Sequence, residues 1–192
     1  MQVYLFHNSG FFKQNDVHQE DIFRVLDDIS VSTDTTDLIV ALYLIPGYRQ
    51  NRGTAYVRRW MTPANFIAKK GKWSFVRKWE LPSDLPQQFK LIRMRLDGRN
   101  HLFPRTERDI YGWEFHYPTF LDHLATLFAH ELHHFRRYHL NLHPKEGEHS
   151  ANKWALQHVQ NCGFQVEGKK HPAKRKRHRR RYGLFKIFTF NF

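Results

Sequence analysis

Residues 118–139 have the sequence PTFLDHLATLFAHELHHFRRYH, and this stretch decides the fold. Large apolar side chains recur in it at helical spacing, which predicts one long amphipathic helix that begins at Pro118 or Thr119. The broad face of this helix consists of Phe120, Leu124, Leu127, Phe128, Glu131 and Phe135. The rest of the domain must therefore supply an apolar surface that buries this face.

The same helix carries His130-Glu131-Leu132-His133-His134, which is an HExxH pattern. Residues four apart on a helix are neighbours, so His130 and His134 can direct two imidazoles at one ion. Glu131 is rotated by about 100° from His130, so its carboxylate can reach a water on that ion without being a ligand. The pattern predicts a Zn²⁺ site with His130 and His134 as metal ligands and Glu131 as the catalytic general base.

A catalytic zinc ion keeps three protein ligands and one open position, so the sequence has to supply a third ligand. The candidate is Glu148, near the start of a second helix that is predicted to follow Pro144. Two antiparallel helices would bring Glu148 back over the two histidines. Asn152 lies one turn later on the same face, where it could hold a zinc-bound imidazole in place.

At this point the sequence resembles the gluzincin branch of the zinc metallopeptidases. In that branch the third ligand is a Glu in an ExxA(D/N) helix that follows HExxH, and residues 148–155, EHSANKWA, match this form. The ExxANxxA form is most similar to the small ImmA/IrrE-type proteases, and the resemblance covers residues 118–160. It implies a minimal zincin fold and peptide-bond hydrolysis. A metzincin pattern does not fit, because Arg137 and Leu140 stand where its Gly and its third His would be.

Four more side chains flank the motif, namely Tyr138, His139, His143 and His149. Each of the three histidines could stabilise an oxyanion or replace a ligand. The alternative for each is an ordinary surface or core histidine whose ring is satisfied by its surroundings. Tyr138 is close enough in sequence to be considered as well.

The remaining elements predict an α+β fold. We expect a strand at 2–6, a helix with the apolar stripe Ile22, Val25, Leu26 and Ile29, a strand in the apolar run 38–45, antiparallel strands over 54–96 and a loop over 97–112. Strands followed by two helices favour α+β over a βαβ sheet. The antiparallel or mixed sheet would pack on the motif helix and on the second, ligand-bearing helix. Residues 1–167 would form the zincin-like domain, and 168–192 a basic tail that ends in an aromatic segment.

The net charge of +13 is concentrated in two blocks, 38–79 and 168–181, which hold nine basic and no acidic residues each. The second block suits a phosphate backbone, although a solvated tail or a nuclear address would have the same composition. The first block places aromatic residues between cations, which suits stacking on bases. Its alternative is a sheet with core aromatics and a solvated basic face. DNA or RNA is therefore a predicted partner, through Lys169–Arg181 and residues 38–79.

Compartment and membrane association follow from simpler features. The single cysteine, Cys162, excludes an intrachain disulfide and favours a reducing compartment. The N-terminal residues lack the pattern of a secretory signal, and the longest apolar run, 38–46, is too short for a membrane span. We therefore expect a cytoplasmic protein, or a nuclear one if the host is a eukaryote.

Together these features predict a zinc-dependent endopeptidase that hydrolyses peptide bonds with a zinc-bound water activated by Glu131. Its substrates would be proteins or peptides, and the charge suggests proteins associated with nucleic acid, as for SprT-like proteases. The alternative is a nucleic-acid-binding protein with a structural or vestigial zinc site. Glu131 favours the enzyme, because a purely structural site does not need it.

Overall fold

A computed structural model describes residues 1–47, 51–56, 60–67 and 71–172. Its elements are β1 Gln2–His7, α1 Phe11–Asn15, α2 Gln19–Ser30, β2 Leu38–Leu44, β3 Arg52–Ala55, α3 Pro63–Phe66, β4 Lys90–Leu96, β5 Arg105–Arg108, β6 Trp113–Tyr117, α4 Phe120–His139, α5 Glu148–Asn161 and β7 Glu167–Lys170. Short 3-10 helices span Gly71–Lys78 and Asn100–Leu102. The mixture of helices with mixed and antiparallel sheets confirms the α+β class.

The larger sheet has the strand order β1-β2-β4-β3. Strand β2 pairs in parallel with β1 and β4, while β3 pairs antiparallel with β4. Every residue of β2 is buried, because both faces of the sheet are covered. Val40 and Leu42 point into one apolar cluster, while Ile39 and Tyr43 point into a second cluster on the other face.

The first cluster lies between the sheet and helices α2, α4 and α5. The predicted stripe of α2 is confirmed, since Ile22, Val25, Leu26 and Ile29 are all buried. However, β1, α2 and β2 form a βαβ unit, whereas the order of elements in the sequence favoured a sheet without one. An amphipathic helix long enough for a crossover lies between the two strands, so they can pair in parallel.

The expected antiparallel strands over 54–96 are wrong for most of that range. Among the described residues of that range, β3 and β4 are the strands. The described residues between them form α3, a 3-10 helix and irregular backbone that cover the second face of the sheet. Trp73, Phe75 and Trp79 pack against that face. Alternating aromatic residues suit a covering layer as well as a strand, and Pro63 begins a helix.

This arrangement bears on the first basic block. Tyr56, Trp73 and Trp79 belong to the packed layer, whereas the side chain of Trp60 is about half exposed at 48%. The alternative of a sheet with core aromatics therefore holds for Tyr56, Trp73 and Trp79. The other members of the block at 48–50, 57–59 and 68–70 lie outside the described residues.

A second, three-stranded antiparallel sheet has the order β5-β6-β7. Strand β5 lies within the expected loop 97–112, so that expectation is wrong for residues 105–108. Strand β7 crosses the expected boundary at residue 167, and its Gly168 packs so closely that an added Cβ would lie 2.5 Å from Leu156 Cδ2. The folded part therefore includes Lys169 and Lys170. The rest of the predicted tail, residues 173–192, lies outside the described residues. Within the described part, no helix has both the length and the apolar character needed to cross a lipid bilayer.

Candidate metal centre

Helix α4 carries the HExxH motif and begins where the sequence predicts. Thr119 caps it: the Thr119 hydroxyl accepts from the backbone N–H of Asp122, and the Asp122 carboxylate accepts from the backbone N–H of Thr119. The helix packs against β3, β4 and α5. Beyond α4 the chain is held by a bond from Arg137 Nε to the carbonyl of Pro144, at 3.0 Å. This connection places the start of α5, and with it Glu148, beside the histidines.

The three predicted ligands converge in the structure. The Nε2 atoms of His130 and His134 are 3.1 Å apart. Glu148 Oε2 lies 3.2 Å from His130 Nε2, and Glu148 Oε1 lies 3.4 Å from His134 Nε2. Donors at 2.0–2.2 Å from a tetrahedral zinc ion would be roughly 3.3–3.6 Å apart. The observed separations of 3.1–3.4 Å are close to these values, with each carboxylate oxygen of Glu148 next to one histidine, and the group could hold a metal ion.

A hydrogen bond at Nδ1 fixes the ring of His130. His130 Nδ1 donates to Asn152 Oδ1 at 2.8 Å, as the position of Asn152 in the sequence predicts. The side-chain amide of Asn152 in turn donates from Nδ2 to Asp109 Oδ2 at 2.5 Å. With its proton on Nδ1, the neutral His130 ring leaves Nε2 free for a metal.

The ring of His134 is held differently. Its Nδ1 is buried and has no hydrogen-bond partner among the described residues. Instead the ring lies nearly parallel to that of Tyr138, with centroids 6.1 Å apart and an interplanar angle of 19°. Packing therefore orients His134, whereas hydrogen bonds orient His130.

Glu131 is buried next to this group and is in direct contact with strand β3. Its Oε2 accepts from the backbone N–H of Ala55 at 2.8 Å, and its exposed fraction is 6%. Gly53 also lies against the side chain of Glu131, since an added Cβ at Gly53 would be 2.3 Å from both Cγ and Oε1 of Glu131. Only a glycine leaves room for the carboxylate at this point of the strand.

The two carboxylates of the site have pKa values displaced in opposite directions. Burial raises the pKa of Glu131, and this outweighs the charges of His130 and His134 and the N–H of Ala55. Close contact with the Nε2 atoms of His130 and His134 holds the pKa of Glu148 far below its ordinary value. A buried, more basic carboxylate beside an anionic one matches the division into general base and metal ligand.

The group opens into a cavity of about 220 Å³. This cavity is lined by Gly53, Thr54, Ala55, His130, Glu131, His134, Tyr138 and Glu148. A neighbouring cavity of about 500 Å³ extends between β3, α4 and the hairpin of β5 and β6. His130 and Glu131 line both cavities, so a molecule in the larger one would border the candidate metal site.

The flanking histidines lie outside the metal group. The carbonyl of Tyr56 lies 3.0 Å from His139 Nε2, and Trp113 Nε1 donates to His149 Nδ1 at 3.0 Å. His143 is exposed. None of the three belongs to the metal-binding group found among the described residues. Tyr138 alone of the flanking candidates lines the cavity.

Sequence reasoning missed two residues of this site, Gly53 and Asp109. A glycine inside a strand often marks close approach by another group, so the contact at Gly53 could have been predicted from the sequence. No such sign marks Asp109, because nothing local relates it to Asn152, 43 residues away.

Comparison of the chain with protein-family models, with curated proteins and with solved structures finds no match.

Proposed function

We propose that this protein is a zinc-dependent endopeptidase. The observation that carries the proposal is the position of Glu131, buried beside the group formed by His130, His134 and Glu148 but outside it. A structural zinc site needs donors and no adjacent base. A hydrolytic site needs a carboxylate within reach of the attacking water.

His130, His134 and Glu148 would hold the metal. When bound, zinc supplies a Lewis acid that polarises a carbonyl group and acidifies water. Structural zinc sites are closed by four protein donors, whereas the described residues bring three donors together at the edge of a cavity. This arrangement leaves room for a water and a substrate carbonyl.

Glu131 would take the proton of the attacking water and later pass it to the leaving amine. Burial raises the pKa of its carboxyl, which makes the carboxylate a better base at neutral pH. The N–H of Ala55 occupies one carboxylate oxygen and orients the group. The other oxygen, Oε1, lies on the side of Gly53.

The substrate would be an extended peptide bound along β3. This strand pairs only with β4 in the described sheet, so its other edge faces the cavities. The N–H of Tyr56 donates to Leu91, on the β4 side. Because successive N–H groups of a strand point in opposite directions, those of Ala55 and Gly53 point away from β4. The N–H of Ala55 donates to Glu131, so the N–H of Gly53 is the one that a peptide at this edge would meet. A peptide added at this edge would run past Glu131.

Proteins bound to nucleic acid are the proposed substrate class. Lys169 and Lys170 are exposed on β7, and the sequence continues beyond them as a basic run to Arg181. Such a run attracts phosphate backbones and would concentrate the protein on DNA or RNA. A nucleic-acid-binding protein with a structural zinc would share this charge but would not cleave peptides.

Cleavage that depends on zinc is the test. Zinc-loaded and chelator-treated protein would be incubated with an unfolded protein, with and without DNA, and the fragments identified by mass spectrometry. We expect fragments only with zinc, and His134→Ala should lose zinc and cleavage together. A preparation with one zinc per chain that cleaves no peptide bond would contradict the proposal, and so would cleavage that survives chelation.

A further inference from the structure

Asp109 links the turn of the β5–β6 hairpin to the candidate metal centre. Its Oδ1 accepts from the backbone N–H groups of Tyr111 and Trp113, both at 2.8 Å. Its Oδ2 accepts from Asn152 Nδ2, whose amide oxygen accepts from His130 Nδ1. The Asp109 carboxylate therefore holds the turn through Oδ1, and through Oδ2 it holds Asn152, the hydrogen-bond partner of His130.

The direction of these bonds follows from chemistry. A carboxylate oxygen accepts hydrogen bonds and has none to give, so the amide of Asn152 has to turn its Nδ2 toward Asp109. Its Oδ1 is then left facing His130, and an oxygen there requires a proton on His130 Nδ1. A neutral ring with its proton on Nδ1 presents a lone pair at Nε2, the atom that lies beside His134 and Glu148.

We propose that Asp109 is a positioning residue of the metal centre, which sets the orientation of the Asn152 amide and thereby makes His130 Nε2 a metal ligand. The inference rests on the metal-binding part of the proposed function and not on peptide hydrolysis. It also makes the turn at residues 109–112 and the ligand one hydrogen-bonded unit. Ile110 and Tyr111 of that turn line the larger cavity, so the unit borders the space where substrate would lie.

The substitution Asp109→Asn is nearly isosteric but reverses this polarity. The new amide can keep its oxygen on the N–H groups of Tyr111 and Trp113, so the turn is retained. Its NH₂ group then meets the NH₂ group of Asn152, and Asn152 has to rotate. Rotation turns a donor toward His130 Nδ1 and disfavours the tautomer that binds metal through Nε2.

A second substitution can restore the polarity. In the double variant Asp109→Asn/Asn152→Asp, the amide at position 109 donates to a carboxylate at position 152, which accepts from His130 Nδ1. Asn152→Asp alone sets two carboxylates against each other at a contact of 2.5 Å in the wild type. Each single variant should therefore be defective, while the double variant recovers.

The experiment measures the zinc dissociation constant of the four full-length proteins by competition with a chelator. We expect zinc to bind about 10- to 100-fold more weakly to each single variant, which is the usual effect of losing such a partner. The double variant should return close to wild type. In zinc-loaded samples, the Nδ1–H proton of His130 should be protected from solvent exchange in the wild type and the double variant. In Asp109→Asn it should exchange rapidly, because it has lost its acceptor. Asp97→Asn, which alters a carboxylate that accepts from the N–H of Gly47, is the control and should leave zinc affinity unchanged.

The inference is overturned if Asp109→Asn binds zinc as tightly as the wild type, or if the double variant is no better than the single ones. The second result would assign Asp109 a role in holding the turn only. Melting temperatures of the four metal-free proteins form the same cycle. A wild type that binds no zinc would defeat the proposed function, but the melting temperatures would still test the coupling of Asp109 to Asn152. Recovery of the melting temperature in the double variant would support this coupling, and a double variant that does not recover would overturn it.

Discussion

The substitution Gly53→Ala would test how closely strand β3 is packed on Glu131. The added Cβ would lie 2.3 Å from Cγ and Oε1 of Glu131, whereas ordinary contacts begin at 3.4 Å. The strand and the carboxylate would have to separate by about 1 Å, the difference between these two distances. The bond from the Ala55 N–H to Glu131 is 2.8 Å long and cannot survive a shift of that size.

The expected loss is in catalysis and not in metal binding. A misplacement of about 1 Å at a reacting group costs on the order of 100-fold in rate, or about 2.7 kcal/mol in the activation barrier. We therefore expect kcat to fall by about 100-fold. Zinc affinity should stay the same, because the ligands lie on α4 and α5. Crowding of this kind should also lower the free energy of unfolding by about 1–3 kcal/mol.

The assay compares initial cleavage rates at equal zinc content. Gly147→Ala is the matched control, because an added Cβ at that position has no atom within 4 Å. It makes the same chemical change next to Glu148 and should keep the wild-type rate. A Gly53→Ala protein that cleaves at the wild-type rate would refute the close packing of β3 on Glu131. Loss of zinc from this variant would refute the separation of base from ligands.

Two further predictions concern acid stability and nucleic acid. Burial, with a smaller contribution from Arg105, lowers the pKa of His123 from 6.5 to about 3. The stability contributed by the neutral ring is therefore complete above pH 6.5 and declines as the pH falls toward 3. In His123→Gln, unfolding by urea should lose an acid dependence of up to about 1.4 kcal/mol per pH unit within this window, and an unchanged slope would contradict the shift. Deleting residues 173–192 should weaken DNA binding without changing the melting temperature. The slope of the logarithm of the binding constant against the logarithm of the salt concentration should become shallower by about 0.9 for each phosphate that the tail neutralises. A deletion variant that binds DNA like the wild type at every salt concentration would show that the tail does not bind DNA.

The part of the site that the sequence predicted depends on local spacing. His130 and His134 are one helical turn apart, and the helix is specified by its apolar face and its cap, so their convergence needed no knowledge of the rest of the fold. Glu148 followed from the expected antiparallel return of the next helix and from the resemblance to the gluzincin pattern, and Asn152 from its position one turn after Glu148. The α+β class followed from the order of strands and helices.

The part that the sequence did not predict depends on contacts between distant segments. Gly53 and Ala55 reach Glu131 across more than 70 residues, because β3 is the edge strand beside α4. No periodicity in the sequence specifies that β1, β2 and β4 pair in parallel. Pairing between strands is decided by which surfaces the helices and the aromatic layer bury.

The most direct test of the central claim is the rate of peptide cleavage by Glu131→Gln at one zinc per chain. The amide keeps the size of the side chain but cannot take a proton from the attacking water. We expect zinc content and melting temperature near those of the wild type, because Glu131 is outside the ligand group. The cleavage rate should fall by at least about 10²- to 10⁴-fold, the usual contribution of a general base. A Glu131→Gln protein that holds zinc and cleaves peptides as fast as the wild type would contradict the claim that Glu131 is the base of a zinc endopeptidase.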